Sequence, residues 1–278
     1  MFPVLFRIGS FTVTSFGVMI ALAFVAGGMT MARELRRTGQ DPEHAWDLCG
    51  WAAIFGILGA KIYYLFLHFP ETKADPVHAI LSRSGLVWYG GFILAALAVL
   101  WRLRQLKLPI LTFADGAGIS LAIGYAVGRI GCFLVGDDYG APTKLPWGVA
   151  FPNGAPPSTA GNLRAFGVHV PASVPDPTVM TVHPTQVYET LMSFAIFLLL
   201  LRLRPKFVTP GQIFFVWLAL AGVERFVVEI FRAKDDRLLG PFSIAQLISF
   251  LIVATGIVGL ATVSRRRAVE SAGTPALA

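Results

Sequence analysis

An all-α, polytopic membrane protein with about seven transmembrane helices is what this sequence predicts, on three observations. The 278 residues are 55% hydrophobic and only 14% charged, whereas soluble domains carry about 25% charged residues. The apolar residues gather into long runs that recur as far as residue 263. The basic residues fall in short groups between those runs, a distribution that orients helices in a bilayer.

A hydrocarbon layer about 30 Å thick takes about 20 helical residues to cross. Seven segments qualify: 12–32, 48–68, 85–101, 110–135, 185–201, 210–231 and 243–263, the third short and the fourth long. Backbone amides find no water inside lipid, so continuous apolar runs of this length must be helical; a closed barrel would need alternating strands. The first run ends on Arg33-Glu34-Leu35-Arg36-Arg37. This is a basic stop without a small-residue cleavage site, and the run is expected to be a retained helix.

Twelve Lys and Arg residues fall in the first, third and fifth connections and after the last helix; eight are spread over the longer opposite side. The bias places the amino terminus outside and the carboxyl terminus in the cytoplasm. The expected organisation is a single transmembrane helical domain over 1–267, an extracytoplasmic loop region over 136–184, and a disordered cytoplasmic tail over 268–278. The loop contains nine prolines between Pro142 and Pro184. It reads mostly as turns and irregular chain, either a plain connection or a cap over a site. The net charge of +7 belongs to the membrane-facing groups, and no nucleic-acid partner is expected. Cys49 and Cys132 lie in or beside apolar helices and are expected to be buried thiols. No zinc or nucleotide-binding pattern is present, and neither a metal nor a cofactor is expected.

Ionisable groups inside apolar spans are costly unless paired or near water. Here they are Lys61, Arg129, Arg225, Asp115, Glu189, Glu224 and Glu229. Arg225, Glu229 and Arg232 sit at i, i+4 and i+7, on one face of the sixth helix. They form either a salt bridge that fixes packing or an anion site, since guanidinium forks suit phosphate oxygens. The fourth helix carries Asp115, Gly118, Ala122, Tyr125, Arg129 and Cys132 on one stripe, whose small residues permit close helix approach. Arg129 stands about 21 Å along the axis from Asp115, so the two do not pair, and Asp115 is expected to be structural. Arg129 and Arg225 share a similar outer depth.

Around Arg129 the chain reads GRIGCFLVGDDYG, residues 128–140. Four glycines and two acids describe the end of a broken helix lining a cavity, or a helix exit. In HPTQVYE, His183 to Glu189, Gln186 and Glu189 share a face and either hold the loop or shape the site. Lys61 can snorkel or face the same cavity. Trp88 and Tyr89 in SGLVWYGG belong to an interfacial belt or supply a hydroxyl. Phe16 has no polar handle. These residues make an outer-side cluster suited to an anionic headgroup, with carrier, channel and enzyme all open. Its position near one surface rather than the midplane favours an enzyme acting on lipid.

GRIGCFLVGDDYG is similar to the signature GRxGNFxNGExxG, HPTQVYE to HPSQLYE, and RFVVEIFR (225–232) to RxxxExxR; GAKIYY (59–64) and WYGG (88–91) correspond to two further blocks. From about Pro3 to Arg266 the sequence thus resembles the bacterial prolipoprotein diacylglyceryl transferases. The resemblance implies a multi-pass enzyme of the bacterial cytoplasmic (inner) membrane. Such an enzyme moves the diacylglyceryl group of phosphatidylglycerol to the lipobox cysteine thiol of a preprolipoprotein and releases glycerol 1-phosphate. It implies catalytic roles for Arg129, Arg225, Glu229, Asp137 and Tyr89. Lipid or phosphate contacts would come from Arg129, Arg225, Arg232, Lys61, Gly140 and His183. The chain departs from the pattern at Asp137 (glutamate expected), Cys132 and Val135 (asparagines), Tyr89 (histidine), Phe16 (tyrosine) and Lys61 (arginine). Cys132 cannot supply an asparagine's amide donor and carbonyl acceptor. Two alternatives therefore stand beside the transferase: a divergent homologue moving a phospholipid-derived group to another acceptor, and a non-catalytic anionic-lipid-binding or transport protein.

Overall fold

The computed structural model describes all residues except Ser10, Arg83, Ser84, Asp235, Asp236, Gly240, Pro241 and 274–278. A hairpin of β1 (Val4–Ile8) and β2 (Phe11–Thr14) leads into α1 (Ser15–Arg37), α2 (Glu43–Leu67), α3 (Phe69–Ala74), α4 (Pro76–Leu81), α5 (Trp88–Gln105) and α6 (Ile110–Val135). The long connection holds β3 (Val149–Ala150), α7 (Ala160–Ala165) and β4 (Thr181–Val182). Then follow α8 (Thr185–Leu203), α9 (Gln212–Glu229), β5 (Arg237–Leu239), β6 (Phe242–Ser243) and α10 (Ile244–Gly273).

Each apolar segment singled out in the sequence is helical over most of its length, and the chain is a mostly helical, polytopic membrane protein. Among the described residues, five helices are long and apolar enough to cross a membrane: α1, α2, α6, α8 and residues Ile244–Arg265 of α10. The expected seven is therefore not reached on length and composition. The 18 residues of α5 end on Arg102 and Arg104, and the 18 of α9 include Glu224, Arg225 and Glu229. The stretch expected as a tail overlaps the end of α10, which runs to Gly273; 274–278 lie outside the described residues.

The chain divides into two compact units, Met31–Phe113 and Met1–Thr30 with Ala114–Ala278. In the first of these, α2 and α5 meet at glycines. A methyl group on Gly59 would lie 2.3 Å from the Gly90 carbonyl oxygen, so only glycine permits this approach. Arg102 Nε donates to Asp47 Oδ2 at 2.7 Å, and its guanidinium lies 5.7 Å from the Trp51 ring centre. Arg36 and Arg37 close α1, where cations complement the carbonyl end of the helix dipole.

In the larger unit, Ile119 and Ala122 of α6 pack with Leu200 of α8 and Ile213 of α9. Asp115 of α6 caps α9: its carboxylate accepts from the amides of Gly211 and Phe214, each at 2.8 Å. These are orphan donors at a helix start, so the structural role expected of Asp115 has a specific form.

The 136–184 connection is folded rather than irregular. Tyr139, Phe151, Leu163, Val170 and Val182 form a buried core of their own with Ala233. Proline removes ladder donors, and side chains replace them. Ser158 Oγ accepts from the Phe151 amide and donates to the Met180 carbonyl, both at 2.9 Å. Arg164 Nη2 gathers the carbonyls of Pro171 and Val174 at 2.7 and 2.6 Å.

Candidate functional site

The site forms where α6 ends and α8 begins. Arg129 lies in the penultimate turn of α6, and its guanidinium ion-pairs with Glu189 of α8. Tyr125, one turn earlier, donates its phenol to the other oxygen of Glu189 at 2.9 Å, and the Arg129 guanidinium stands 5.9 Å from its ring centre. Glu189 is 2% exposed. The carboxylate is thus held between a cation and a hydroxyl, the pairing that a buried charge requires.

Past the end of α6 the chain turns back on this pair. Asp138 takes a left-handed backbone conformation, φ +57°. Its carboxylate bridges two guanidiniums: Oδ2 lies 3.0 Å from Arg129 Nη1 and Oδ1 2.9 Å from Arg232 Nη2. Burial opposes its charge, but Arg232 and Arg129 outweigh that and hold the carboxyl below its ordinary range. Thr185 Oγ1 donates to the Asp138 carbonyl at 2.7 Å. The neighbouring Asp137 carboxyl is pushed up by burial and by Asp138 beside it. Its carbonyl accepts from Gln186 Nε2, and its carboxyl lies within 4.8 Å of the Cys132 thiol. Cys132 Sγ also lies 3.4 Å from Arg129 Nη1.

A second cluster sits on α9. Arg225 Nη2 pairs with Glu229 Oε2 at 2.6 Å, and Ser243 Oγ donates to the other Glu229 oxygen at 3.0 Å. One turn earlier, Glu224 accepts from Ser193 of α8 at 2.7 Å.

Gly140 is packed on three sides. A methyl group there would lie 2.3 Å from the Phe231 carbonyl oxygen, 2.8 Å from His183 Cβ and 2.9 Å from Thr185 Cγ2, and its amide donates to the His183 carbonyl at 2.8 Å. The His183 ring belongs to a relay. Trp147 Nε1 donates to the Tyr188 hydroxyl at 2.9 Å, which lies 3.1 Å from His183 Nδ1. Indole is only a donor, so the phenol oxygen accepts from it. Burial holds His183 below its ordinary pKa. With Met192, Val227 and Phe231 these rings line an apolar cavity of about 390 Å³.

Arg129, Asp137, Cys132, Gly140, His183 and Arg232 thus come together in one unit, with Arg225 and Glu229 on its α9. The residue bridged to Arg129 is Arg232, through Asp138, rather than Arg225. Lys61 and Tyr89 belong to the other unit. Lys61 Nζ donates to the carbonyl and hydroxyl oxygens of Ser82 at 2.9 and 3.0 Å. Tyr89 is 56% exposed and stands edge-on to Trp88, ring centres 5.4 Å apart.

The residue that sequence reasoning did not single out is Asp138. The signal was its position: a second acid three residues past a helix that carries Arg129 in its penultimate turn needs a cation, and Arg232 was available. Cys132, Asp137 and Asp138 bring donor atoms within 4.8 Å of one another. Asp138 is committed to two guanidiniums, however, and Arg129 stands against the thiol, so a cation at this point would have two guanidiniums beside it.

The fold and site define a class: polytopic helical membrane proteins with paired arginines and carboxylates where the helices meet a folded loop. The sequence profile of prolipoprotein diacylglyceryl transferase matches residues 3–262. The chain belongs to that family. It is 30% identical to the phosphatidylglycerol–prolipoprotein diacylglyceryl transferase of Clostridium tetani over 92% of this chain and 95% of that protein. It is 31% identical to that of Nostoc sp. (93% and 88%) and 30% identical to that of Geobacter sulfurreducens (95% and 96%).

Proposed function

We propose that this chain transfers the diacylglyceryl group of phosphatidylglycerol to the lipobox cysteine thiol of preprolipoproteins, in a bacterial cytoplasmic membrane. In this reading α5 and α9 also cross the bilayer, giving seven passes with the amino terminus outside and the carboxyl terminus in the cytoplasm. The observation that carries it is the Arg129 cluster, a buried guanidinium anchored by Glu189 with a second guanidinium, Arg232, beside it.

The chemistry explains why cations are needed. A carbon–sulfur bond forms at the glyceryl carbon, the carbon–oxygen bond to phosphate breaks, and the thiol proton passes to water. The phosphodiester carries one negative charge; the departing glycerol 1-phosphate gains another. Guanidiniums placed where charge develops stabilise that change more than they stabilise the bound lipid, and positive charge also favours the thiolate that attacks. Arg129, Arg225 and Arg232 supply this charge, with Glu229 orienting Arg225. Asp137 and Gly140 hold the turn after α6, and His183 contributes from the wall of the apolar cavity. Tyr89 and Lys61 act at the positions their motifs occupy in the family.

Cys132 at an asparagine position favours a second reading, transfer of a phospholipid-derived group to another acceptor. One experiment separates the two. Purified protein is incubated with phosphatidylglycerol and a lipobox peptide, and products are identified by mass spectrometry. A thioether-linked diacylglyceryl peptide supports the first reading; headgroup release without peptide modification supports the second.

A further inference from the structure

Asp138 stands at a position the family signature leaves variable, yet it makes two ion pairs. Its oxygens reach Arg129 Nη1 and Arg232 Nη2 at 3.0 and 2.9 Å. A carboxylate and a phosphodiester both present two anionic oxygens to guanidinium forks. We propose that Asp138 is an internal counter-anion seated between Arg129 and Arg232 where a lipid phosphate binds, so that the headgroup enters by displacing this carboxylate.

Two carboxylates hold Arg129, and they differ in one respect. Glu189 is enclosed, its side chain 3% exposed, whereas that of Asp138 is 44% exposed. Glu189 cannot leave without stranding a buried charge. Asp138 can turn into water by rotation of its side chain alone, because the Thr185 hydroxyl and the Gly140 amide pin the surrounding backbone. Arg129 and Arg232 are paired with Glu189 and Asp138, with Asp137 beside them. Displacing Asp138 removes one negative charge from this group, and a singly charged phosphodiester restores it. Other anions must compete with the same carboxylate.

This inference rests on the assignment of a lipid phosphate to Arg129. The test titrates a short-chain phosphatidylglycerol into the detergent-solubilised full chain by calorimetry, for the native protein and for Asp138→Asn, Asp138→Gly and Arg129→Gln. Asparagine and glycine both accept a positive φ, so the turn is retained without the charge. Asp138→Asn and Asp138→Gly are expected to bind roughly three- to tenfold tighter, the weight of two partly exposed ion pairs, and Arg129→Gln to lose binding. Unchanged or weaker affinity in both Asp138 variants, with binding still dependent on Arg129, overturns the counter-anion and leaves the headgroup assignment standing. A purely structural role for Asp138 gives that same weaker binding. Equal affinity in Arg129→Gln and native protein, or no binding by the native protein, overturns the headgroup assignment and the inference with it.

Discussion

Arg129 and Glu189 lie on different helices, 60 positions apart in sequence, and form one buried ion pair that ties the end of α6 to the start of α8. Tyr125 completes the carboxylate at 2.9 Å. A pair of this kind adds little net stability over an apolar contact, but removing one partner leaves the other charged and enclosed.

Glu189→Ala is therefore expected to cost roughly 3–5 kcal/mol, read as a large drop in thermal midpoint of the purified protein. Glu189→Gln should lose less, because an amide still hydrogen-bonds with both Tyr125 and Arg129. Equal midpoints for native protein and Glu189→Ala would show that the pair does not hold the helices together.

The Asp138 bridge makes a pH-dependent contribution of definite sign. Burial works against the Asp138 charge, but Arg232 and Arg129 hold its pKa below the ordinary value. The folded state thus binds the proton less readily than the unfolded chain. The contribution is complete above the unfolded value of about 3.9 and is lost as pH falls through the folded one. Thermal midpoints of native protein and Asp138→Asn should differ most near neutrality and converge below about pH 4. A gap that widens on acidification contradicts the assignment.

The helices were legible in the sequence because lipid leaves the backbone one solution, and all seven apolar runs became helix over most of their length. The pairing of Arg225 with Glu229 was legible too, from i, i+4 spacing. The partnership of Asp138 with Arg232 was not: 94 positions separate them, and no periodicity links a turn after one helix to the turn after another. The folded loop was hidden for a related reason. Its order comes from isolated side-chain ties such as Ser158 and Arg164, scattered among prolines that read as irregular chain. Asp115 was recognised as structural, but its capping of α9 depends on a crossing that only the assembled helices provide.

Gly140→Ala tests the packed turn. The added methyl group would stand 2.3 Å from the Phe231 carbonyl oxygen, and backbone cannot yield as a flexible side chain does. Overpacking of this kind costs about 1–3 kcal/mol. The variant should cleave faster than native protein within 136–184 under limited proteolysis. An unchanged cleavage rate would show that the turn can relax.

Asp115→Ala leaves two amides at the start of α9 without their acceptor. The expected loss is about 1–2 kcal/mol, partly recovered by Asp115→Asn, whose carbonyl oxygen still accepts. Thermal midpoints should therefore fall in the order native, Asn, Ala. Activity per folded molecule should be unaffected, because Asp115 lies about 21 Å along α6 from Arg129.

The most direct measurement is transfer itself, with native protein, Arg129→Ala and Arg225→Ala assayed side by side on phosphatidylglycerol and a lipobox peptide. The account predicts a diacylglyceryl thioether from native protein and loss of at least about 2–3 kcal/mol of transition-state stabilisation, roughly a hundredfold in rate, in each variant that still folds. Native turnover retained in both folded variants, or no thioether from the native protein, would contradict it.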